Sequence, residues 1–334
     1  MARGISDSIR RFFATESAGG IVLIISAFIA LICANSPIKV GYADFWRPGQ
    51  AFISEGLMSI FFFLVGLEIK REFFQGELRD PRKAALPVLS AIGGMLLPAL
   101  IYALINQGGD GSRGWAVPMP TDIALSMGAL ALLGSRVNSS LKIFLLSLAI
   151  ADDLGSILVL SLFYSQGINP MKLISIVGAV LLAWLLPTRR RIPLDRLIDW
   201  IHPWSSFLVI PLFALANIGV TLDSTSLKSL ISSPITTGII IGRVAGKLVG
   251  ITLFAWLAVK IGLAKMPATL TFKEIAGVAA LAGMGLSVSL IIADLALSQP
   301  SQLAQVKSGL IISAILSAIG GLVILRRALS RKTS

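Results

Sequence analysis

Two adjacent aspartates lie in the middle of the apolar segment LKIFLLSLAIADDLGSILVLSLFYS, residues 141–165. An ionisable side chain inside a membrane span costs several kcal/mol, and by default it marks a path for ions or protons. Consecutive residues of a helix point about 100° apart. Asp152 and Asp153 can therefore face different partners, one an ion cavity and the other a cation such as Lys247.

The composition shows what surrounds this pair. Of the 334 residues, 55% are hydrophobic and 14% are charged, which is too little polar surface to cover a soluble domain of this size. Several apolar runs reach the length of about 18 residues that crosses a bilayer as a helix, and lipid favours helices because every backbone group must be paired internally. The sequence therefore predicts an all-α polytopic membrane protein. Ten spans are predicted, at about 19–34, 51–69, 84–106, 115–133, 141–164, 173–187, 203–219, 235–259, 275–297 and 306–325.

The distribution of positive charge predicts the orientation of these spans. The net charge is +12, and with the N-terminus inside, 21 of the 29 Lys and Arg residues fall in cytoplasmic segments. This excess follows the positive-inside rule, so both termini are predicted to be cytoplasmic and no nucleic-acid partner is expected. The basic run at 188–191 is interpreted as a topology anchor.

Cysteine and histidine are too scarce for a disulfide or a resident metal centre. Cys33 is the single cysteine and His202 the single histidine. A lone cysteine cannot form an intramolecular disulfide, and no Cys/His cluster has the spacing of metal ligands. No cofactor is therefore expected.

Polar groups of four different spans share one depth. Lys247 is near the centre of span 235–259, Asp122 is near the centre of span 115–133, and the segment GMGLSVS (283–289) straddles the centre of span 275–297. Together with the aspartate pair these groups define a layer at mid-membrane. Charges that served only as contacts between helices would be scattered in depth.

Two spans are predicted to be interrupted in this layer. Pro118 and Pro120 lack backbone donors and discourage a helical residue before them, and Gly283 and Gly285 are weaker breakers in the other span. Interrupted helices are tolerated in a membrane only where they line a cavity or are buried in protein. Two of them in corresponding halves are typical of inverted-repeat transporters with a central ion site, here spans 3–5 and 8–10.

Crossed, interrupted helices would bring positive and negative helix ends to the centre. A carboxylate offsets the positive ends and an ammonium offsets the negative ends. Asp122 and Lys247 fit these two roles, and Thr121 could add an oxygen to a cation site.

The chain resembles the NhaA family of sodium/proton antiporters over nearly its whole length, with the motifs TD, ADDLG and GK in order. The segments that carry the resemblance are FFLVGLEIKRE (62–72), WAVPMPTDIALSMGALALLGSRV (115–137), LKIFLLSLAIADDLGSILVLSLFY (141–164), HPWSSFLVIPLFALANIGV (202–220), GKLVGITLFAWLAVKIGLAKMP (246–267) and AGMGLSVSLIIA (282–293).

The resemblance implies roles for residues of the central layer. Asp153 would be the main carboxylate for sodium and protons. Asp152 would pair with Lys247 in one protonation state and carry a second proton. Thr121 and Asp122 would belong to the interrupted helices at the centre of the site.

The resemblance also implies a pH-sensing mouth on the cytoplasmic side. Glu68 and Glu72 would lie there at the end of span 2, and the alternative is that they form a solvated helix end. His202 would lie at the same mouth, and the alternative is an interfacial residue in the first turn of its helix.

The chain departs from the family in length. Members have about twelve spans, whereas ten are counted here, so two helices of an interface panel are missing. The remaining panel would be formed by 19–69 and 173–219, beside a core of 84–164 and 235–325. The outer loop at 35–50 is too short for the β-hairpin that bridges dimer partners in the family, which weighs against a homodimer.

The function implied is secondary transport. Cytoplasmic Na⁺ or Li⁺ would be exchanged for external protons across a bacterial inner membrane, under pH regulation and with net charge movement. The lipid bilayer, these cations and protons are the expected partners, and the protein would not be an enzyme. Three alternatives remain: a non-transporting membrane scaffold, an intramembrane aspartyl protease and a channel.

Two further charges lie near the centre without belonging to the family pattern. Arg243 precedes Lys247 by one turn, and Asp294 lies outward of the break in span 9. A long arginine side chain can extend toward the membrane surface. The sequence therefore predicts an Arg243–Asp294 salt bridge on the outer side.

Overall fold

The structure is a computed structural model that describes residues 2–164, 170–187, 193–219 and 233–330, without the side chains of 2–16, Ser135 and 170–174. The basic run at 188–191 lies outside the described residues. The helices of the described residues are α1 (Ala2–Ala34), α2 (Lys39–Trp46), α3 (Met58–Gln75), α4 (Pro81–Ile105), α5 (Ile123–Ala131), α6 (Ser139–Phe163), α7 (Pro170–Leu185), α8 (Leu194–Trp204), α9 (Ile210–Asn217), α10 (Pro234–Ile241), α11 (Lys247–Lys260), α12 (Phe272–Leu281), α13 (Ser287–Ala296) and α14 (Pro300–Ser330).

Several of these helices join through π-helical turns into longer rods. The turns are Phe52–Leu57 before α3, Ser205–Val209 between α8 and α9, and Gly242–Gly246 between α10 and α11. In the described part of the chain, seven rods are long and apolar enough to cross a membrane. They are Ser17–Ala34, Phe52–Gln75, Pro81–Ile105, Ser139–Phe163, Leu194–Asn217, Pro234–Lys260 and Pro300–Ser330.

Each of the seven rods overlaps one predicted span, and the predicted span 173–187 corresponds to the shorter helix α7. The all-α polytopic membrane class is thereby confirmed. The largest boundary difference is at the predicted span 203–219, which begins at Leu194, because Pro203 lies inside α8 and does not start a helix.

The two remaining predicted spans are interrupted helices. In the first, a 3₁₀ turn at Ser112–Ala116 is followed by the first unwound segment, residues 117–122, and then by α5. In the second, α12 ends at Leu281, and the second unwound segment, residues 282–286, leads into α13. Both interruptions fall at the predicted residues, whereas the inverted-repeat relation between them stays a prediction.

The two unwound segments pair with each other. The backbone N–H of Asp122 donates to the carbonyl of Met284 at 3.0 Å, and the Thr121 hydroxyl lies 3.0 Å from the carbonyl of Ala282. Polar groups that leave a helix ladder inside a membrane must find partners within the protein. Each segment therefore supplies partners for the other.

Contacts divide the chain into two compact units. The first comprises the described parts of Met1–Arg71, Ile123–Leu132 and Asn169–Thr221. Within it, α3 and α7 are tied by the ammonium of Lys70, which donates to the backbone carbonyls of Trp184 and Leu186 at 2.9 and 2.6 Å. These carbonyls lie at the end of α7, where a cation is favourable.

Helix α5 belongs to this first unit, whereas the predicted division placed all of 84–164 in the core. The reason is a close contact with α1. The backbones of the two helices meet at Gly20 and Gly128, where neither residue has a side chain to hold them apart. Small residues of this kind are typical of helix contacts inside membranes.

The second unit comprises the described parts of Glu72–Asp122, Leu133–Ile168 and Leu222–Ser334. Its helices α4 and α11 pack closely because Gly93 and Gly250 face each other, and a Cβ on either would overlap the carbonyl oxygen of the other. Lys247 lies one turn before Gly250. Lys247 is itself 0% exposed.

Candidate ion-binding site

The aspartate pair lies on α6 and is buried. Asp152 is 0% exposed and Asp153 is 5% exposed. The helix begins with a side-chain cap, since Asn138 accepts a hydrogen bond from the backbone N–H of Leu141 at 2.7 Å. It then runs without interruption past the pair, so the carboxylates are presented by a regular helix to the unwound segments of its neighbours.

Asp152 forms a buried ion pair with Lys247. The ammonium of Lys247 donates to Asp152 Oδ2 and to the hydroxyl of Thr121, the latter at 2.6 Å, and both charged side chains are 0% exposed. The Thr121 hydroxyl also lies 2.6 Å from Asp152 Oδ2. Attraction between buried charges is largely offset by lost hydration, but removing one partner leaves an uncompensated buried charge. The pairing is the one that the resemblance implied.

Asp122 contacts the N-terminus of α13. It immediately precedes α5, and its Oδ2 accepts a hydrogen bond at 3.0 Å from the hydroxyl of Ser287, the first residue of α13. A helix N-terminus carries about half a positive charge, which a carboxylate offsets. The position agrees with the role predicted for Asp122.

The role predicted for Lys247 at the negative helix ends is filled by a different residue. Arg243 donates to the carbonyls of Gly283 and Gly285, at 3.0 and 2.7 Å, and to the carbonyl of Pro120 at 2.7 Å. It also donates to the hydroxyl of Ser289 at 2.5 Å. Lys247 donates instead to Asp152 and Thr121.

The predicted Arg243–Asp294 salt bridge is therefore corrected. The guanidinium of Arg243 is fully buried and directed at the unwound segments, whereas Asp294 is exposed. The inward carbonyls provide acceptors at hydrogen-bonding distance, so the arginine side chain does not extend toward the membrane surface.

Asp152 Oδ1 and the hydroxyl oxygen of Ser156, which is 0% exposed, are buried without a hydrogen-bond partner among the residues that the structure describes. Ser156 lies three and four positions after the aspartates, a spacing that brings side chains together on a helix. Unsatisfied buried oxygens cost free energy, and a small hard cation would satisfy them.

The candidate pH-sensing residues are buried. Glu68, Glu72 and His202 are each less than a tenth exposed. Glu72 accepts hydrogen bonds from the hydroxyl of Ser147 at 2.8 Å and from the backbone N–H of Glu77 at 3.0 Å. The alternative of a solvated helix end is therefore wrong for the two glutamates. His202 lies in the last turn of α8, so the alternative of a first-turn residue is wrong as well.

Sequence reasoning missed three serines of the second unit. Ser156 adjoins the aspartates on α6, Ser147 contacts Glu72, and Ser287 contacts Asp122. The helical spacing to Asp152 and Asp153 was a signal for Ser156. Ser287 lies in the polar segment 283–289 predicted at mid-membrane, but its contact with Asp122, like that of Ser147 with Glu72, joins distant segments that no local pattern pairs.

A family model for the Na⁺/H⁺ antiporter 1 family matches residues 10–191 and 173–325. A Na⁺/H⁺ antiporter NhaA from Shewanella sp. (strain ANA-3) is 39% identical, and the alignment covers 98% of this chain and 100% of that protein. The Na⁺/H⁺ antiporter NhaA of Yersinia enterocolitica is 38% identical, and the alignment covers 98% of this chain and 99% of that protein. The chain belongs to the Na⁺/H⁺ antiporter 1 family.

Within this family the chain is a shortened member. The alignments run over 388 positions, whereas the chain has 334 residues, so parts of the relatives lie opposite gaps. The two segments of the family match overlap at 173–191. This overlap lies within 173–219, one of the two stretches predicted to form the reduced panel.

Proposed function

We propose that this chain exchanges cytoplasmic Na⁺ or Li⁺ for external protons, with Asp153 and Asp152 as the ion-binding carboxylates. The observation that carries the proposal is the buried Asp152–Lys247 ion pair beside Asp153, where the two unwound segments meet. Buried ionisable groups in a membrane span are costly, and this family of relatives is named for sodium/proton antiport.

The exchange requires that the cation and the protons compete for the same carboxylates. Sodium takes oxygens of Asp153, Asp152 and Ser156, and the Thr121 hydroxyl adds a neutral oxygen. As sodium enters, the Asp153 carboxyl releases its proton, and the Lys247 ammonium leaves Asp152 and releases a second proton. The return step reverses these events, with protons entering from the opposite side of the membrane. Two protons per sodium would make the exchange electrogenic.

The proposed setting is a bacterial inner membrane with both chain termini in the cytoplasm. The positive-inside distribution supports this orientation. Glu68, Glu72 and His202 are the proposed pH-sensing residues. The hydrogen bond from Ser147 connects Glu72 to α6 about one and a half turns before Asp152, which gives a carboxylate outside the ion site a direct contact with the helix that carries it.

Transport in everted membrane vesicles tests the proposal. Vesicles containing the chain are acidified by respiration and then given Na⁺ or Li⁺. We expect the added cation to drive protons out of the lumen, and the fluorescence of a pH-sensitive dye to recover as a result. Vesicles that show no cation-dependent recovery at any pH between about 6.5 and 8.5 would favour the membrane scaffold instead.

The variant Ser156→Ala tests whether the Ser156 hydroxyl binds the ion or only stabilises the fold. Because the Ser156 hydroxyl has no hydrogen-bond partner in the described residues, its removal should leave the melting temperature without sodium unchanged or slightly raised. The sodium-induced rise in melting temperature should shrink, consistent with an affinity loss of about tenfold. Melting curves in detergent, with and without NaCl, measure both.

Ser90→Ala is the matched control. Ser90 is equally buried, on α4, and its hydroxyl donates to the carbonyl of Leu86 at 2.6 Å. Its loss should leave the sodium-induced shift at the parental size. A parental sodium shift in Ser156→Ala would exclude Ser156 from the ion site.

A further inference from the structure

The side chain of Arg243 joins the two interrupted helices. One amino group donates to the carbonyls of Gly283 and Gly285 in the second unwound segment. The other donates to the carbonyl of Pro120 in the first unwound segment and to Ser289 on α13. A single planar group thus holds both segments in one geometry.

These acceptors explain why a cation is stable there. The carbonyls of Gly283 and Gly285 follow the C-terminal end of α12, where the helix dipole is negative, and Pro120 follows the 3₁₀ turn of the other interrupted helix. Asp152 and Asp122 add attraction from the surrounding carboxylates. Both terminal amino groups of the guanidinium are therefore hydrogen-bonded, and nearby carboxylates offset its charge, although it is fully buried.

The backbone around Arg243 leaves space for its guanidinium. Arg243 lies in the π-helical turn Gly242–Gly246, one turn before Lys247. At Gly285, a Cβ would lie 2.8 and 2.9 Å from the two guanidinium nitrogens and 2.9 Å from the carbonyl oxygen of Pro120. Any side chain at Gly285 would displace the guanidinium.

We propose that Arg243 is a positioning residue: a permanent positive charge that locks the crossing of the two unwound segments and so places Thr121 and Asp122 for ion binding. Arginine suits a permanent charge because its guanidinium is not deprotonated in proteins, whereas a buried lysine can lose its proton. Two neighbouring cations then have different tasks. Arg243 holds the geometry, and the Lys247–Asp152 pair opens and closes with the ions. This inference rests on the proposed function.

Calorimetry of NaCl binding to the purified full-length chain tests the division of tasks. Titrations in two buffers of different ionisation enthalpy give the sodium affinity and the number of protons released per sodium. We expect Arg243→Gln to bind sodium at least about tenfold more weakly, because misplaced ligands are costly, while the proton count stays parental. Arg243→Lys should be intermediate, since it keeps the charge but reaches fewer acceptors. Lys247→Gln should change the proton count.

Two milder variants keep the test decisive if Arg243→Gln does not fold. Ser289→Ala removes one acceptor and leaves the charge in place, and Gly285→Ala displaces the guanidinium without removing it. Both should weaken sodium binding with an unchanged proton count. Tyr102→Phe is the control for general destabilisation, because it removes a buried hydrogen bond to Gly111 elsewhere in the unit and should leave sodium affinity parental.

The outcomes separate this inference from the proposed function. Parental sodium affinity in Arg243→Gln, or a proton count altered by about one, would overturn the positioning role. An affinity loss as large in Tyr102→Phe would overturn it too, since the effect would then follow stability alone. If the parental chain itself releases no protons on binding sodium, the proposed function fails, whatever the Arg243 variants do.

Discussion

Asp153→Asn is expected to abolish cation-dependent proton movement in everted vesicles while the protein accumulates normally in the membrane. The amide has the size of the carboxyl but neither binds a proton in exchange nor supplies the cation with its negative charge. A loss of about 3 kcal/mol in the free energy of cation binding lowers the affinity about a hundredfold. This loss is enough to reduce exchange to the rate of vesicles that lack the protein. Dye recovery after addition of NaCl or LiCl measures it.

The matched control for this variant is Asp199→Asn. Asp199 is an exposed aspartate on α8, so its neutralisation should leave exchange at the parental rate. Asp152→Asn should also impair exchange, because it removes the partner of the Lys247 ammonium. Parental exchange in Asp153→Asn vesicles would mean that the main ion-binding carboxylate has been assigned to the wrong residue.

The second large effect is a dependence of sodium affinity on pH. If sodium and protons compete for Asp152 and Asp153, each proton released on binding makes the apparent affinity rise about tenfold per pH unit. The rise should flatten at the pH where the empty site has already lost its protons. Sodium titrations at intervals of half a pH unit measure the slope. An affinity that does not change with pH would contradict competition.

Proline shows how far the sequence predicts the fold. Pro118 and Pro120, two residues apart within a predicted span, correctly indicate an unwound segment, because two missing N–H donors so close together would leave two carbonyls of a helix unpaired. Pro203 is the first residue of the predicted span 203–219, whereas the helix in the structure begins earlier, at Leu194. The proline lies inside α8, and the π-helical turn Ser205–Val209 follows it. A single proline can lie inside a continuous helix, and local sequence does not distinguish such a proline from one at a helix start.

Arg243 shows why side-chain direction is harder to predict than depth. Its position along the span was readable, since each residue of a helix rises 1.5 Å. The direction of its side chain was not readable, because it depends on the carbonyls of Pro120, Gly283 and Gly285, which come from distant parts of the sequence. The arginine predicted to extend outward donates to these carbonyls instead.

The charged residues of the site stood out in sequence because charge is rare in membrane spans. Serines are common there, so Ser147 carried no comparable signal, and Ser287 was indicated only as part of the polar segment 283–289. Helix α5 likewise gave no indication that it packs on α1, because glycine pairs such as Gly20 and Gly128 are recognisable only once the helices are adjacent. Composition thus predicts where chemistry occurs, and packing decides which neutral groups take part.

The most direct test of the central claim is the number of protons released when sodium binds to the purified chain. Calorimetry in buffers of different ionisation enthalpy gives this number without a membrane potential or a pH gradient. We expect between one and two protons per sodium near the pH at which affinity rises most steeply, falling toward zero at high pH. A count of zero across the whole pH range would leave a sodium site that is not coupled to protons, and would contradict antiport by Asp152 and Asp153.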